Sequence, residues 1–310
     1  MATRIFIDGA AGTTGLEIRD RLAGREEFEL IVLDDERRKD EAARKDALHE
    51  ADIAILCLPD DAAREAVKLA SGSGTRLIDA SSAHRVQDNW AYGFPELTGR
   101  GIIENAHCVS NPGCYPTGFL ALVAPLTRAN LLPSDWPCTV NAVSGYSGGG
   151  NALIDRFESE PDIAFRAYGL NLDHKHLPEM REYAGLVYPP IFSPSVVPAH
   201  RGMIVDVPLP LSAMAGATSA AFLEGELTAF YADSEVVTVQ STNEVKSELL
   251  LRQGAEPWDG MDLYVFDDGD GEQARLVAVL DNLGKGASGA AIQNLNIMCG
   301  LPETTGLRLR

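Results

Sequence analysis

The chain has 310 residues, 45% of them hydrophobic and 23% charged, with a formal net charge of −19. That length favours two domains over one core. The acidic balance argues against nucleic-acid binding, and the apolar runs are too short to span a bilayer.

Read in order, Arg4–Asp8 is a short apolar strand that runs into Gly9-Ala10-Ala11-Gly12-Thr13-Thr14-Gly15 and then a helix with Leu16, Ile18 and Leu22 on one face. Strand, Gly-x-x-Gly-x-x-Gly and helix form a dinucleotide-loop arrangement, in which glycines let the backbone approach a pyrophosphate. A tight strand-to-helix turn is the alternative. The second strand, Glu29–Asp34, ends where a ribose contact is expected. Asp34 would suit the 2′-hydroxyl of NAD, whereas Arg37, Arg38 and Lys39 could neutralise the 2′-phosphate of NADP.

Asp52–Leu58 reads as a buried parallel strand. Pro59 ends it, and Asp60 or Asp61 would cap a helix over 62–70. Thr75–Ala80 is another strand, followed by Ser81-Ser82-Ala83-His84-Arg85 where such sheets bind ligands. A short strand, Ala106–Val109, then leads to Ser110-Asn111-Pro112-Gly113-Cys114-Tyr115-Pro116-Thr117. Asn-Pro-Gly is turn chemistry, and the apolar run Pro116–Leu126 is helical with proline in its first turn. Cys114 thus falls near a helix N-terminus, where the dipole favours a thiolate nucleophile. A small buried cysteine is the plainer reading.

Beyond the cysteine helix, Cys138–Val143 is a strand leading into Ser144–Gly150, which could wrap an anion with backbone N–H groups or merely connect. Next comes His174-Lys175-His176-Leu177-Pro178-Glu179, with a helix starting at Pro178. Ser195–Val207 reads as two paired strands about a Pro/Gly turn. Leu223–Tyr231 is helical, Val236–Gln240 and Ala274–Leu280 are strands, and Asp267–Gly271 is a hairpin turn. Asp281–Asn294 enters a small-residue helix suited to packing back on the first domain. The expected fold is an N-terminal Rossmann-type parallel sheet, residues 1–113 completed by 282–310, and a mixed or antiparallel α+β catalytic domain over 114–281. The N-terminus enters a strand without a signal-peptide apolar region, and the five cysteines are scattered. Both features point to a reduced cytoplasmic enzyme.

A nucleotide loop, a helix-capped thiol and a histidine-rich loop together suggest acyl chemistry coupled to hydride transfer. His-x-His could bind zinc instead, but without a spaced carboxylate or cysteine pair no metal is expected.

Ile5–Gly15, Gly93-Phe94-Pro95-Glu96-Leu97, Ser110–Thr117, His174–Glu179 and Pro198-Ala199-His200-Arg201-Gly202-Met203 resemble the N-acetyl-gamma-glutamyl-phosphate reductase family. Thr13-Thr14-Gly15 and Lys39-Asp40 fit its shorter branch, and the similarity runs from Arg4 to near Leu301. The resemblance implies the aspartate-semialdehyde dehydrogenase fold and NADPH-dependent reduction of N-acetyl-L-glutamyl 5-phosphate to the 5-semialdehyde, releasing inorganic phosphate. It makes Cys114 the nucleophile and His176, with His174 as rival, the acid/base. Ser144, Gly145, Asn111 and Arg201 would bind the acyl phosphate. Gly9, Gly12, Thr13, Thr14, Gly15, Arg37, Arg38, Ser81 and Asn282 would hold NADP(H). A homodimer or homotetramer is expected, and His84 has no assigned role. Aspartate-semialdehyde dehydrogenase is the nearest rival activity, followed by a silent NADP sensor and a thiol hydrolase of acyl phosphates.

Overall fold

A computed structural model describes residues 2–213, 219–241 and 248–310. The chain divides into two compact units, one of residues 1–113 with 287–307 and one of 114–286 with 308–310.

The first unit is a six-stranded, all-parallel sheet. Its strands are β1 (Thr3–Asp8), β2 (Phe28–Ile31), β3 (Ile53–Leu56), β4 (Arg76–Asp79), β5 (Ala91–Tyr92) and β6 (Cys108–Ser110), in the order β2-β1-β3-β4-β6-β5. Strand side chains alternate between faces, so near-continuous apolar runs build two cores. Ile5, Ile7, Ile53, Ile55 and Ile78 form one core with Ile18, Ile103 and Leu295. Phe6, Ala54, Leu56 and Leu77 form the other with Leu48 and Ala66. The first core is covered by α1 (Thr13–Leu22), α5 (Arg100–Asn105) and α10 (Gly289–Met298), and the second by α2 (Glu41–Glu50) and α3 (Asp60–Leu69). A short helix, α4 (Pro95–Thr98), precedes α5.

Two local expectations fail here. Leu16 is exposed while Ile18 and Leu22 are buried, because two residues of helix turn a side chain to the far face. The helix at 60–69 carries no side-chain cap; Pro59 holds the cap position. Asp60 instead accepts the Ser82 backbone N–H at 3.0 Å and its hydroxyl at 2.7 Å, tying the loop after β4 to α3.

The second unit is a seven-stranded mixed sheet. Its strands are β7 (Thr139–Gly145), β8 (Arg166–Ala167), β9 (Ile191–Val197), β10 (Met203–Pro210), β11 (Val237–Val239), β12 (Met261–Asp267) and β13 (Gln273–Leu280), ordered β11-β12-β13-β10-β7-β9-β8. The expected pairing of β9 with β10 does not occur. Instead β7 lies between them, parallel to β9 and antiparallel to β10. The 198–202 turn therefore crosses over the end of β7, and Gly145 N–H donates to the Gly202 carbonyl at 2.8 Å. The turn at 267–271 does join antiparallel β12 and β13.

The remaining helices are α6 (Cys114–Arg128), α7 (Asn151–Ser159), α8 (Leu177–Tyr183) and α9 (Ala220–Phe230). Residues Tyr115–Leu126 of α6 are all buried. A Cβ at Gly118 would stand 2.7 Å from Val205 on β10, so glycine there lets α6 lie directly on the sheet. Cys114 precedes Gly118 by one turn and shares its face of the helix. Among the described residues, no helix is long and apolar enough to cross a membrane.

Candidate active site

In the first unit the glycine loop separates into packing and access positions. Gly9 has φ +91°, and a Cβ there would lie 2.3 Å from the Cys57 carbonyl oxygen. One at Gly15 would lie 2.5 Å from the Gly9 carbonyl. Gly12 differs: its Cβ would meet only the Gly9 carbonyl, at 3.5 Å, so space within the protein does not demand glycine there. It is also the cap of α1, has no capping side chain, and is followed by Thr13 and Thr14 in the first turn. An uncapped helix start approached by bare backbone fits a pyrophosphate.

Beside this loop lies a cleft of about 360 Å³ lined by Asp8–Ala11, Leu30–Leu33, Asp35, Arg38, Lys39 and Arg44. Arg38 faces it and Arg37 does not. The reason is the turn after β2, where Asp34 accepts the Arg37 backbone N–H at 2.9 Å and Arg38 Nε donates to Asp35 at 2.9 Å. Arg44 closes one wall, donating through Nε and Nη2 to the buried Asp8 carboxylate at 3.1 and 2.9 Å. Sequence reasoning missed both partners, since a pair 36 residues apart has no local signal. A basic edge beside a glycine loop suits a phosphorylated ribose.

Ser81 is engaged elsewhere. Its hydroxyl donates to Asp79 at 2.8 Å and its backbone N–H at 2.9 Å, while the His84 imidazole meets the same carboxylate at 2.6 Å. His84 also stacks on Trp90 with centroids 4.3 Å apart. Asn111, too, is bound within this unit: its Nδ2 donates to the Ala287 carbonyl at 3.0 Å and its Oδ1 accepts from Asn294 at 3.1 Å.

In the second unit Cys114 is the first residue of α6. Gly286 packs so closely that a Cβ on it would be 2.8 Å from Cys114 Cβ. The adjacent Tyr115 ring gathers the histidine loop, with centroids 6.2 Å from His174, 6.0 Å from His176 and 5.1 Å from Phe192. Its hydroxyl donates to the Ser195 carbonyl at 3.0 Å. Tyr168 joins from beyond β8, 5.6 Å from His174, with the Arg166 guanidinium 4.4 Å over its ring. Burial pushes the Tyr168 phenol up to about 12 and that of Tyr115 well above its ordinary value, with Cys114 as a further raising charge on each. Both phenols therefore remain protonated donors near neutral pH, within electrostatic reach of the sulfur.

His176 is buried at the start of α8, and Glu179, one turn on, is 1% exposed. The His174 and His176 rings lie 4.7 Å apart. Tyr168 does not emerge from sequence reasoning as a site residue, because it owes its place to tertiary packing.

The other four thiols are poor nucleophiles. Burial pushes Cys57 and Cys138 up to about 12 and Cys299 to about 11, and raises Cys108.

Arg201 Nη1 donates to Asp281 at 2.8 Å, both side chains being largely buried. Asp281 also accepts the Leu283 backbone N–H at 2.9 Å. Ser144 is buried, and its hydroxyl donates to the Gly145 carbonyl at 2.9 Å. Gly145 is required by packing, since its Cβ would meet the Ala199 carbonyl at 2.7 Å. Asn282, within this unit, accepts the Gly202 N–H at 2.9 Å and donates to Ser147 at 2.9 Å, bracing the 198–202 turn. Among the described residues, no group of three or more His, Cys, Asp or Glu is placed to hold a metal.

Comparisons with known proteins place the chain in a family. Residues 4–105 match the semialdehyde dehydrogenase NAD binding domain, and residues 114–282 match the semialdehyde dehydrogenase dimerisation domain. The N-acetyl-gamma-glutamyl-phosphate reductase of Brucella suis is 52% identical over 97% of this chain and 100% of its own. That of Trichormus variabilis is 48% identical over 98% and 99%. Aspartate semialdehyde dehydrogenase II from Vibrio cholerae shares the fold, with a TM-score of 0.72, 16% identity and coverage of 97% and 99%. With a dinucleotide-type loop in one unit, a helix-start cysteine followed by a tyrosine that packs on two histidines in the other, and these relatives along nearly its whole length, the chain belongs to the N-acetyl-gamma-glutamyl-phosphate reductase family.

Proposed function

We propose that this chain reduces N-acetyl-L-glutamyl 5-phosphate to N-acetyl-L-glutamate 5-semialdehyde through a thioester on Cys114. The observation that carries this reading is the side-chain cluster of the second unit: one cysteine at a helix start, joined through Tyr115 to His174 and His176, while the other four thiols are held protonated.

In that reading the Cys114 sulfur attacks the acyl carbon, a C–S bond forms, and the C–O bond to phosphate breaks. Phosphate departs with the bonding pair. Bound NADPH supplies the hydride equivalent that reduces the thioester. His176 takes the thiol proton as the sulfur attacks and returns it to the sulfur after the C–S bond breaks, so that the thiol is restored. The N-terminus of α6 favours negative charge on sulfur. Arg201, held by Asp281, offers N–H groups to a carboxylate or phosphate of the substrate, and Ser144 with Gly145 forms the neighbouring wall. Gly9, Gly12, Thr13, Thr14 and Gly15 would carry the pyrophosphate, and Arg38 and Lys39 the 2′-phosphate. Ser81, Asn111 and Asn282 would act through the loops they brace. The protein would work in the cytoplasm as a homodimer or homotetramer assembled through its second unit, the region that matches a dimerisation domain.

The test is NADP reduction by N-acetyl-glutamate semialdehyde with phosphate or arsenate, in wild type and Cys114→Ser. Phosphate-dependent turnover that vanishes in the variant is expected. Turnover with aspartate semialdehyde alone would transfer the assignment to the sister activity, and reduction that persists in the serine variant would remove Cys114 from the mechanism.

A further inference from the structure

We infer that His174 is a positioning residue whose imidazole, with its proton on Nε2, accepts the His176 backbone N–H at Nδ1 and so aims the His176 ring. This rests on the reading of His176 as the acid/base, and it separates two histidines that sequence spacing leaves equivalent.

The first support is hydrogen-bond chemistry. His176 N–H donates to His174 Nδ1 at 3.2 Å. A backbone N–H can only donate, so Nδ1 must present its lone pair, and in a neutral ring the proton then resides on Nε2. A protonated Nδ1 would set two donors against each other, so His174 cannot cycle between imidazole and imidazolium without breaking this bond.

Packing is the second support. The His174 ring is boxed by Phe192 of β9 at 5.0 Å, Tyr115 of α6 at 6.2 Å, Tyr168 at 5.6 Å and His176 at 4.7 Å. A Cβ at Gly169, whose φ is +65°, would reach within 3.8 Å of its Cδ2. Of the titratable groups facing it, the two phenols keep their protons near neutral pH, and Arg166 lies over Tyr168. A half-buried ring packed against four aromatic neighbours is oriented by them and can serve as a stop.

The third support is local backbone. His174 also accepts at its carbonyl from Leu177 N–H at 2.9 Å, and Met180 N–H reaches the His176 carbonyl at 3.1 Å. The side-chain and main-chain acceptors of His174 thus together set the entry of the chain into α8, whose cap residue is His176. Rotating that cap rotates the His176 side chain.

The experiment uses the full chain labelled at histidine ring nitrogens, of which there are only six pairs. His174, assigned by its loss in a variant, should show an unprotonated Nδ1 and a protonated Nε2, constant across the pH range in which turnover titrates. A protonated Nδ1, or titration in step with activity, would overturn the inference. Turnover of variants gives a second readout that does not depend on the spectra. His174→Leu should lower kcat on the order of tenfold, about the worth of one hydrogen bond, with KM little changed. His174→Asn, whose Oδ1 replaces the Nδ1 acceptor, should recover to within about threefold of wild type. An asparagine variant as inactive as His176→Asn would show that His174 exchanges protons and defeat the proposal. Full activity in His176→Asn would instead defeat the acid/base reading beneath it.

Discussion

Gly286→Ala tests whether the nucleophile is held in place by contact. The new Cβ would lie 2.8 Å from Cys114 Cβ, 3.3 Å from its Cα and 3.1 Å from the Asp281 carbonyl oxygen. Carbon atoms rest about 3.5–4.0 Å apart, so the first contact must open by roughly 0.7–1.2 Å. The backbone of Gly286 has no positive-φ requirement, hence the substitution costs space rather than strain. Gly286 is tied by its N–H to the Asp281 carbonyl at 3.0 Å, which directs the displacement toward Cys114. A reacting atom misplaced by about 1 Å costs on the order of a hundredfold in rate. We therefore expect kcat to fall about 30- to 100-fold, with about 1–3 kcal/mol lost to overpacking. Steady-state kinetics in the reverse direction and thermal unfolding measure the two effects. Gly225→Ala, in α9 with nothing within 4 Å of the added methyl, is the control and should leave kcat unchanged. A Gly286→Ala enzyme with kcat within about twofold of wild type would refute the contact argument.

Arg38→Ala should raise the KM for NADP about 10- to 100-fold and leave that for NAD nearly constant, the worth of a charge-assisted hydrogen bond to phosphate; Arg37→Ala should do neither, and equal effects would mean that the cleft does not take the 2′-phosphate. Iodoacetamide near neutral pH should alkylate Cys114 at least about tenfold faster than the four other thiols, activity being lost in step. Peptide mapping that finds Cys108 modified first would contradict this. Tyr168 and Tyr183, raised by burial from 10.0 to about 12, hold their protons more tightly folded than unfolded. The sign follows: no effect below about pH 10, then declining stability as the pH rises toward 12. Urea midpoints that stay level across that interval would exclude it.

The parallel sheet was legible because its strands are buried on both faces, so that Asp52–Leu58 reads as a near-continuous apolar run. The β9–β10 relation was not, since β7, supplied from fifty residues earlier, decides it. Alternation along Met261–Asp267 is genuine, yet two of its three alternating outward positions, Tyr264 and Phe266, are aromatic, which blurs the apolar–polar contrast. At the site, Cys114 and the histidine loop could be found because turn chemistry and clustered histidines are local signals. Which arginine meets the cleft depends on the short turn over 35–39, where adjacent side chains diverge. The Arg201–Asp281 pair spans 80 residues and leaves no trace in sequence.

All ten residues of α10 are buried, and they complete the core of a sheet whose strands end at Ser110. During synthesis the ribosome makes residues 114–286, nearly all of the second unit, before it makes this helix. The sheet face carrying Ile5, Ile55 and Ile78 must therefore wait, only partly covered by α1 and α5, for Ile292 and Leu295 to emerge. At about 5–20 residues per second, that interval lasts on the order of ten seconds or more. The second unit, contiguous from 114 to 286 apart from the last three residues of the chain, carries little such delay. The nascent chain would acquire its thiol-bearing half first and its nucleotide-binding half last, leaving the incomplete sheet as the species most in need of a chaperone.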